Sequence, residues 1–145
     1  MSEKRMIKNM AKKKTEIAIP QEIILNKIYE IRGQKVMLDR DLAELYGVET
    51  KVLKQAVRRN IQRFPEDFMF EMLKDEFQNW RSQFVTSNSE KMGLRYTPFC
   101  FTEQGVTMLS CVLNSQRAIE VNIQIIRTFT KMREMILTHK DILMG

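Results

Sequence analysis

Between Thr50 and Phe64 stand five basic residues, Lys51, Lys54, Arg58, Arg59 and Arg63, and no acid. With the apolar positions subtracted, Thr50, Lys51, Lys54, Gln55, Arg58 and Arg59 remain on the other faces of the helix this segment would form. Such side chains suit phosphates and base edges. They do not specify nucleic acid alone, because Lys and Arg also favour helices and water.

Other chemistries have weaker support. His139 is the sole histidine, and the sequence places no Ser or Cys nucleophile beside it, so a His-based catalyst is not expected. Cys100 and Cys111 lie eleven apart without a second pair or a nearby His, which argues against zinc. The five glycines stand alone, with no glycine-rich phosphate loop. Glu66 with Asp67, and Asp75 with Glu76, read as a solvated acidic face sooner than as metal ligands. The expectation is a protein that is not an enzyme and that needs neither metal nor cofactor.

The elements that must position the basic residues begin at Asp39. Over Asp39 to Ile61, Leu42, Ala43 and Leu45 form one short helical pattern, and Leu53, Ala56, Val57 and Ile61 form another. Gly47 between them can take the positive φ of a tight turn, and Ala43 lets the second helix cross closely. Val48 plugs the turn, and Leu53 and Val57 seal the contact. This is helix-turn-helix spacing. Asp39 is placed to cap the first helix, with Asp41 in its positive first turn. Upstream, Lys27 to Leu38 alternates around Arg32-Gly33-Gln34 as a β-hairpin, after a short helix begun at Pro20.

Downstream, Pro65 ends the second helix. Asn60 could cap that helix or, with Arg63, reach a phosphate. Phe68, Phe70 and Met72 alternate as a strand, and Leu73 to Phe77 turns helical. Here the charge reverses, with Glu66, Asp67, Glu71, Asp75 and Glu76 against Lys74. Neighbouring segments of opposite sign suggest one surface facing a polyanion and another turned away. Thr86 to Gly93 reads as a loop. Arg95 to Phe101 suggests a strand that Pro98 would place at an edge or bulge. Thr102 caps a helix over Glu103 to Leu113, and Ser115 caps the longest one. In that last helix Ile119, Ile123, Ile126, Thr130, Arg133 and Leu137 follow a three-and-four spacing, widened by Val121, Ile125, Phe129, Met132 and Ile136. A stripe so broad implies partner packing, most simply a homodimer.

At 145 residues, 43% of them hydrophobic, the chain can bury one core. The net charge of +6 is uneven. Residues 1–64 hold fifteen Lys/Arg against eight acids, and residues 65–145 hold nine against ten. Six of the basic residues fall in the first fourteen positions, so residues 1–16 are expected to be a disordered basic arm and residues 17–145 the folded domain. Two cysteines, no apolar leader and no long apolar run point to a cytoplasmic protein with buried thiols and no membrane association.

Three stretches carry a family resemblance. LDRDLAELYGVET, VRRNIQRFPEDFMFEM and YTPFCFTEQGVTMLSCVLNSQRAIEVNIQIIRTF closely resemble the phage-associated, KilA-N-related DNA-binding domain named for the sixth open reading frame of its founding phage. The resemblance runs from about Ile28 to Met135. Its specific blocks are the RN-RFPEDFMF run at Arg59 to Phe70 and FTEQGV at Phe101 to Val106. The family commonly has paired glycines before an arginine, where this chain has only Gly93 ahead of Arg95. The resemblance implies double-stranded DNA as partner, a phage or prophage setting, and Thr50, Lys51, Lys54, Gln55, Arg58 and Arg59 as the recognition surface.

The expected fold is thus α+β, one helix-turn-helix domain with a small sheet and a long C-terminal helix. Its expected function is sequence-specific DNA binding as a transcriptional regulator. Gln55 and Arg58 would read bases, while Lys51, Lys54, Arg59 and the arm neutralise phosphates. Pairing through the last helix would set half-sites roughly 34 Å apart. The alternative is an antirepressor-like module whose last helix binds a protein partner. A nuclease using the acidic pairs is the third reading.

Overall fold

The computed structural model describes residues 19–84 and 96–144; the expected basic arm and the loop at Thr86 to Gly93 lie outside them. Pro20 opens α1 (Gln21–Leu25), whose Ile24 is fully buried. The hairpin follows as β1 (Ile28–Ile31) and β2 (Gln34–Leu38). Arg32 and Gly33 both take positive φ, 57° and 72°, the type I′ geometry whose twist suits a two-residue hairpin loop.

After β2 come α2 (Asp39–Tyr46), α3 (Thr50–Arg59), a 3-10 turn at Ile61–Arg63, and β3 (Met69–Glu71). Then follow α4 (Lys74–Phe84), β4 (Phe99–Phe101), α5 (Glu103–Leu113) and α6 (Gln116–Met144). The helix after β3 is longer than expected because Phe77 and Trp80 continue its buried side. Its start is fixed by Glu76, whose Oε1 accepts the Leu73 N–H at 2.8 Å, the returning half of a capping box.

The four strands form one antiparallel sheet in the order β1-β2-β4-β3. Pro98 therefore does not mark an edge. It stands one residue before a central strand, where its missing N–H costs no ladder bond, and its carbonyl still accepts from Met72 N–H at 3.0 Å. Alternation splits the sheet into two faces. Met37, Met69, Phe99 and Phe101 pack against α2, α3, α5 and α6, while Val36, Leu38, Phe70 and Cys100 pack against Phe77 and Trp80 of α4. The basic α3 and the charge-balanced α4 thus lie on opposite faces. Arg32, at the hairpin tip, clamps the α4 side by donating from Nε and Nη2 to the two Glu76 carboxylate oxygens, at 2.7 and 2.8 Å, above the Phe70 ring.

Two expectations about side chains need correction. Cys100 is buried, but Cys111 is exposed on the outer side of α5. Ile61 is not core: α3 ends at Arg59, and the 3-10 turn leaves Ile61 52% exposed.

Thr102 caps α5 as expected, accepting the Gly105 N–H, while its hydroxyl donates to Asp67 carbonyl oxygen at 2.7 Å. This capped end is pressed onto the chain just before β3, so that a Cβ on Gly105 would fall 1.9 Å from the Phe68 carbonyl oxygen. Helix propensity alone favours alanine there by about 1 kcal/mol. The collision is with backbone, so we expect Gly105→Ala instead to destabilise the protein by about 2 kcal/mol or more. Urea unfolding of the two proteins decides the sign, and a stabilised variant would contradict this packing.

Candidate nucleic-acid interface

The turn that delivers α3 is built by Gly47. At φ 72° it closes α2, with Val48 N–H donating to Ala43 carbonyl oxygen at 2.9 Å and Gly47 N–H to Glu44 at 3.1 Å, a Schellman arrangement. Arg117 of α6 reinforces this end by donating from Nε to Leu45 carbonyl oxygen at 3.1 Å. Asn122 of α6 accepts from the Tyr46 hydroxyl and donates to Val106 carbonyl oxygen, joining α2, α5 and α6 through one buried amide. Burial pushes the Tyr46 hydroxyl pKa well up. Leu53 and Val57 seal α3 onto this base, both with no exposed surface, and Val48 packs beside them.

The start of α2 departs from expectation. Asp39 is its first residue, and the residue before it, Leu38, makes no side-chain cap. The Asp39 carboxylate instead sits at a three-way junction. Oδ1 accepts Arg40 N–H at 2.6 Å and Oδ2 accepts Phe99 N–H at 2.9 Å. Lys54 Nζ lies 3.3 Å from Oδ2, donates to Thr97 carbonyl oxygen at 3.1 Å and rests over the Phe99 ring. One buried carboxylate thereby ties α2, α3 and β4 together. Asp41, two residues on and across the helix, pairs with Lys27 at 3.5 Å, and its Oδ2 meets no donor among the described residues.

The expected site residues accordingly divide. Lys51, Gln55, Arg58 and Arg59 are exposed; Thr50 is half-buried at the first turn. Lys54 is not on that surface, because its side chain is only 12% accessible and its ammonium group is spent on Asp39 and Thr97. At about 100° per residue, Arg58, Lys51, Gln55 and Arg59 fall on one arc of the helix, and Val52 borders it. Val52 is 44% exposed and was not anticipated; its position seven residues before Arg59 was the available signal. Phe99, 5.4 Å from the Arg58 guanidinium carbon, supports that side chain from below. Lys51 lies 3.3 Å from Glu49, but both groups are over 70% accessible, so the pair is weak and open to exchange for a phosphate. Asn60 resolves to a helix cap, its Nδ2 donating to Ala56 carbonyl oxygen at 2.8 Å, while Arg63 is exposed on the 3-10 turn.

Among the described residues, no three His, Cys, Asp or Glu side chains gather into a group able to hold a metal ion, and no helix is long and apolar enough to cross a membrane. His139 lies exposed on α6.

Burial raises the Asp39 pKa, against the opposing pull of the Phe99 N–H and the Lys54 charge. A carboxylate whose pKa is higher folded than unfolded contributes its stability below the unfolded value and loses it as pH rises through the folded one. Lys54→Met removes the counter-charge and pushes that pKa further up. We expect a loss of about 3 kcal/mol at pH 7, shrinking toward about pH 4 as Asp39 takes up a proton. Denaturant unfolding across this range checks the account; a deficit independent of pH would mean that Lys54 acts by packing alone.

A family model described as the ORF6N domain matches residues 26–112, more than half of the 145-residue chain. No curated protein and no solved structure matches the chain significantly.

Proposed function

The chain belongs to the ORF6N domain family, and from that premise we propose that it binds double-stranded DNA through the outward arc of α3, as a transcriptional regulator of phage or prophage type. The observation that carries this reading is the division of labour among the cations of α3. Lys54 is used to fix the helix, whereas Lys51, Arg58 and Arg59 stand exposed with Gln55, and no acid occurs from Thr50 to Phe64. A helix held so firmly loses little further freedom on docking, which favours a surface that reads a rigid groove.

In this reading α3 enters the major groove with the geometry of a recognition helix. Arg58, steadied on Phe99, and Gln55 contact base edges, and Val52 can meet a thymine methyl. Lys51 and Arg59, helped by Arg63, neutralise phosphates. Helix α4, whose Asp75 and Glu76 are balanced by Lys74 and Arg81, lies on the opposite face of the sheet from α3. No step of this role requires a catalytic group.

Selection from random duplexes, followed by fluorescence anisotropy on the enriched site, tests the reading. We expect Arg58→Ala or Gln55→Ala to weaken specific binding by about 1–3 kcal/mol and to relax preference at one base position. Lys51→Ala should weaken all sequences alike and reduce the salt slope by about 1 from a starting value near −5, the slope for about six phosphates. Unchanged affinity in both base-reading variants, with the folded state intact, would overturn the assignment of α3.

A further inference from the structure

Helix α6 is about 43 Å long at 1.5 Å per residue. The domain uses one side of its first half, where Ala118, Val121, Asn122, Ile125, Thr128 and Phe129 are buried, and beyond it Arg133, whose guanidinium pairs with Glu103 of α5. Ile119 and Ile123 remain 40% and 46% exposed, Ile126 is half-buried, and Met135, Ile136 and Leu137 project beyond the core at 41–60% exposure. Ile119, Ile123, Ile126, Thr130, Arg133 and Leu137 repeat at 4-3-4-3-4 spacing, the heptad seam of a paired helix; Arg133 is drawn to Glu103, so the open part of the seam is Ile119 to Thr130.

The seam opens onto a groove of about 380 Å³ between α5 and α6, walled by Thr107 and Ser110 on one side and the three isoleucines on the other. Asn122 and Arg127 complete the lining, and of its polar groups only the Arg127 guanidinium is directed outward to an occupant. Thr107 Oγ1 donates to Glu103 carbonyl oxygen at 3.0 Å and Ser110 Oγ to Thr107 carbonyl oxygen at 2.7 Å, so both hydroxyls are turned back onto their own helix.

Charge decides the occupant and its direction. One border of the seam is taken up by Asn122 and Phe129, both buried in the domain itself. The other border carries Glu120 and, seven residues on, the exposed Arg127. A second copy running parallel would set this charged border against the partner's buried one. Running antiparallel, it sets charged border against charged border. In the register that places Ile123 against the partner's Ile126, Glu120 meets the partner's Arg127, Ile119 meets the partner's Thr130, and the two-fold axis repeats each contact.

We propose that α6 binds a second copy of this chain antiparallel, with Ile123 and Ile126 at the centre and two Glu120–Arg127 ion pairs across the axis. This inference stands independently of DNA binding. Its consequence for that reading is a two-fold molecule that carries two copies of α3.

Sedimentation velocity of the full chain under reducing conditions tests it. The expected result is a reversible dimer at micromolar concentration, and Ile123→Glu should be monomeric with unchanged circular dichroism and a melting temperature that no longer rises with protein concentration. Glu120→Arg and Arg127→Glu should each weaken the dimer about tenfold, since each sets two like-charge contacts in place of two ion pairs. The double variant Glu120→Arg/Arg127→Glu restores opposite charges in this register and should recover wild-type association. A wild-type chain that stays monomeric to roughly 100 µM would overturn the proposal by leaving the groove to a different partner. A dimer insensitive to Ile123→Glu, or a double variant that fails to recover, would overturn it equally.

Discussion

The Asp39 carboxylate holds the molecule's working parts in register. It lies at the positive end of α2, where the first-turn N–H groups favour an anion, and it gathers the Arg40 and Phe99 N–H groups and the Lys54 ammonium. Those donors come from three different elements, α2, β4 and α3. Burial raises the Asp39 pKa, so the charged junction is sustained by its partners. Without it, α3 would be held chiefly by the burial of Leu53 and Val57, apolar packing that fixes a distance more firmly than an angle.

The remaining architecture supports that junction from both ends. Arg117 and Asn122 tether the far end of α2 to α6, through Leu45 carbonyl oxygen and the Tyr46 hydroxyl. Gly105 lets α5 press directly onto the Phe68 carbonyl, which brings Phe101 and Phe64 together edge to face at 5.9 Å beneath the same core. On the reverse face, α4 and the Arg32–Glu76 clamp cover Phe70 and Trp80 and close the sheet. The exposed cations of α3 thus sit on a platform fixed by hydrogen bonds and packing at several points.

Local signals in the sequence were readable where the chemistry is local. Gly47 announced a left-handed turn, Thr102 and Ser115 announced caps, and Arg32-Gly33-Gln34 announced a hairpin, although Gln34 proves to open the second strand; each depends on residues within a few positions. Long-range pairing is where reading failed. Asp39 has the right identity for a cap, and only the approach of Phe99, sixty residues away, and of Lys54 gives it a different role. Lys54 belongs by spacing to a basic helix face, yet a buried carboxylate draws it inward. Pro98 signals an edge in isolation, but β4 begins after it and is central. Gly105 looked unremarkable because the backbone that requires it lies at Phe68. The broad stripe on α6 was visible as periodicity, while the part covered by the domain could be separated from the open seam only in three dimensions.

The central claim is that one arc of α3 meets DNA. Chemical-shift mapping of backbone amides during titration with a selected duplex tests it most directly. The account predicts that the largest shifts fall from Thr50 to Arg63, with smaller ones at Phe99 beneath Arg58, and that α4 is silent. Shifts centred on α4, or on α6 with α3 unmoved, would contradict it.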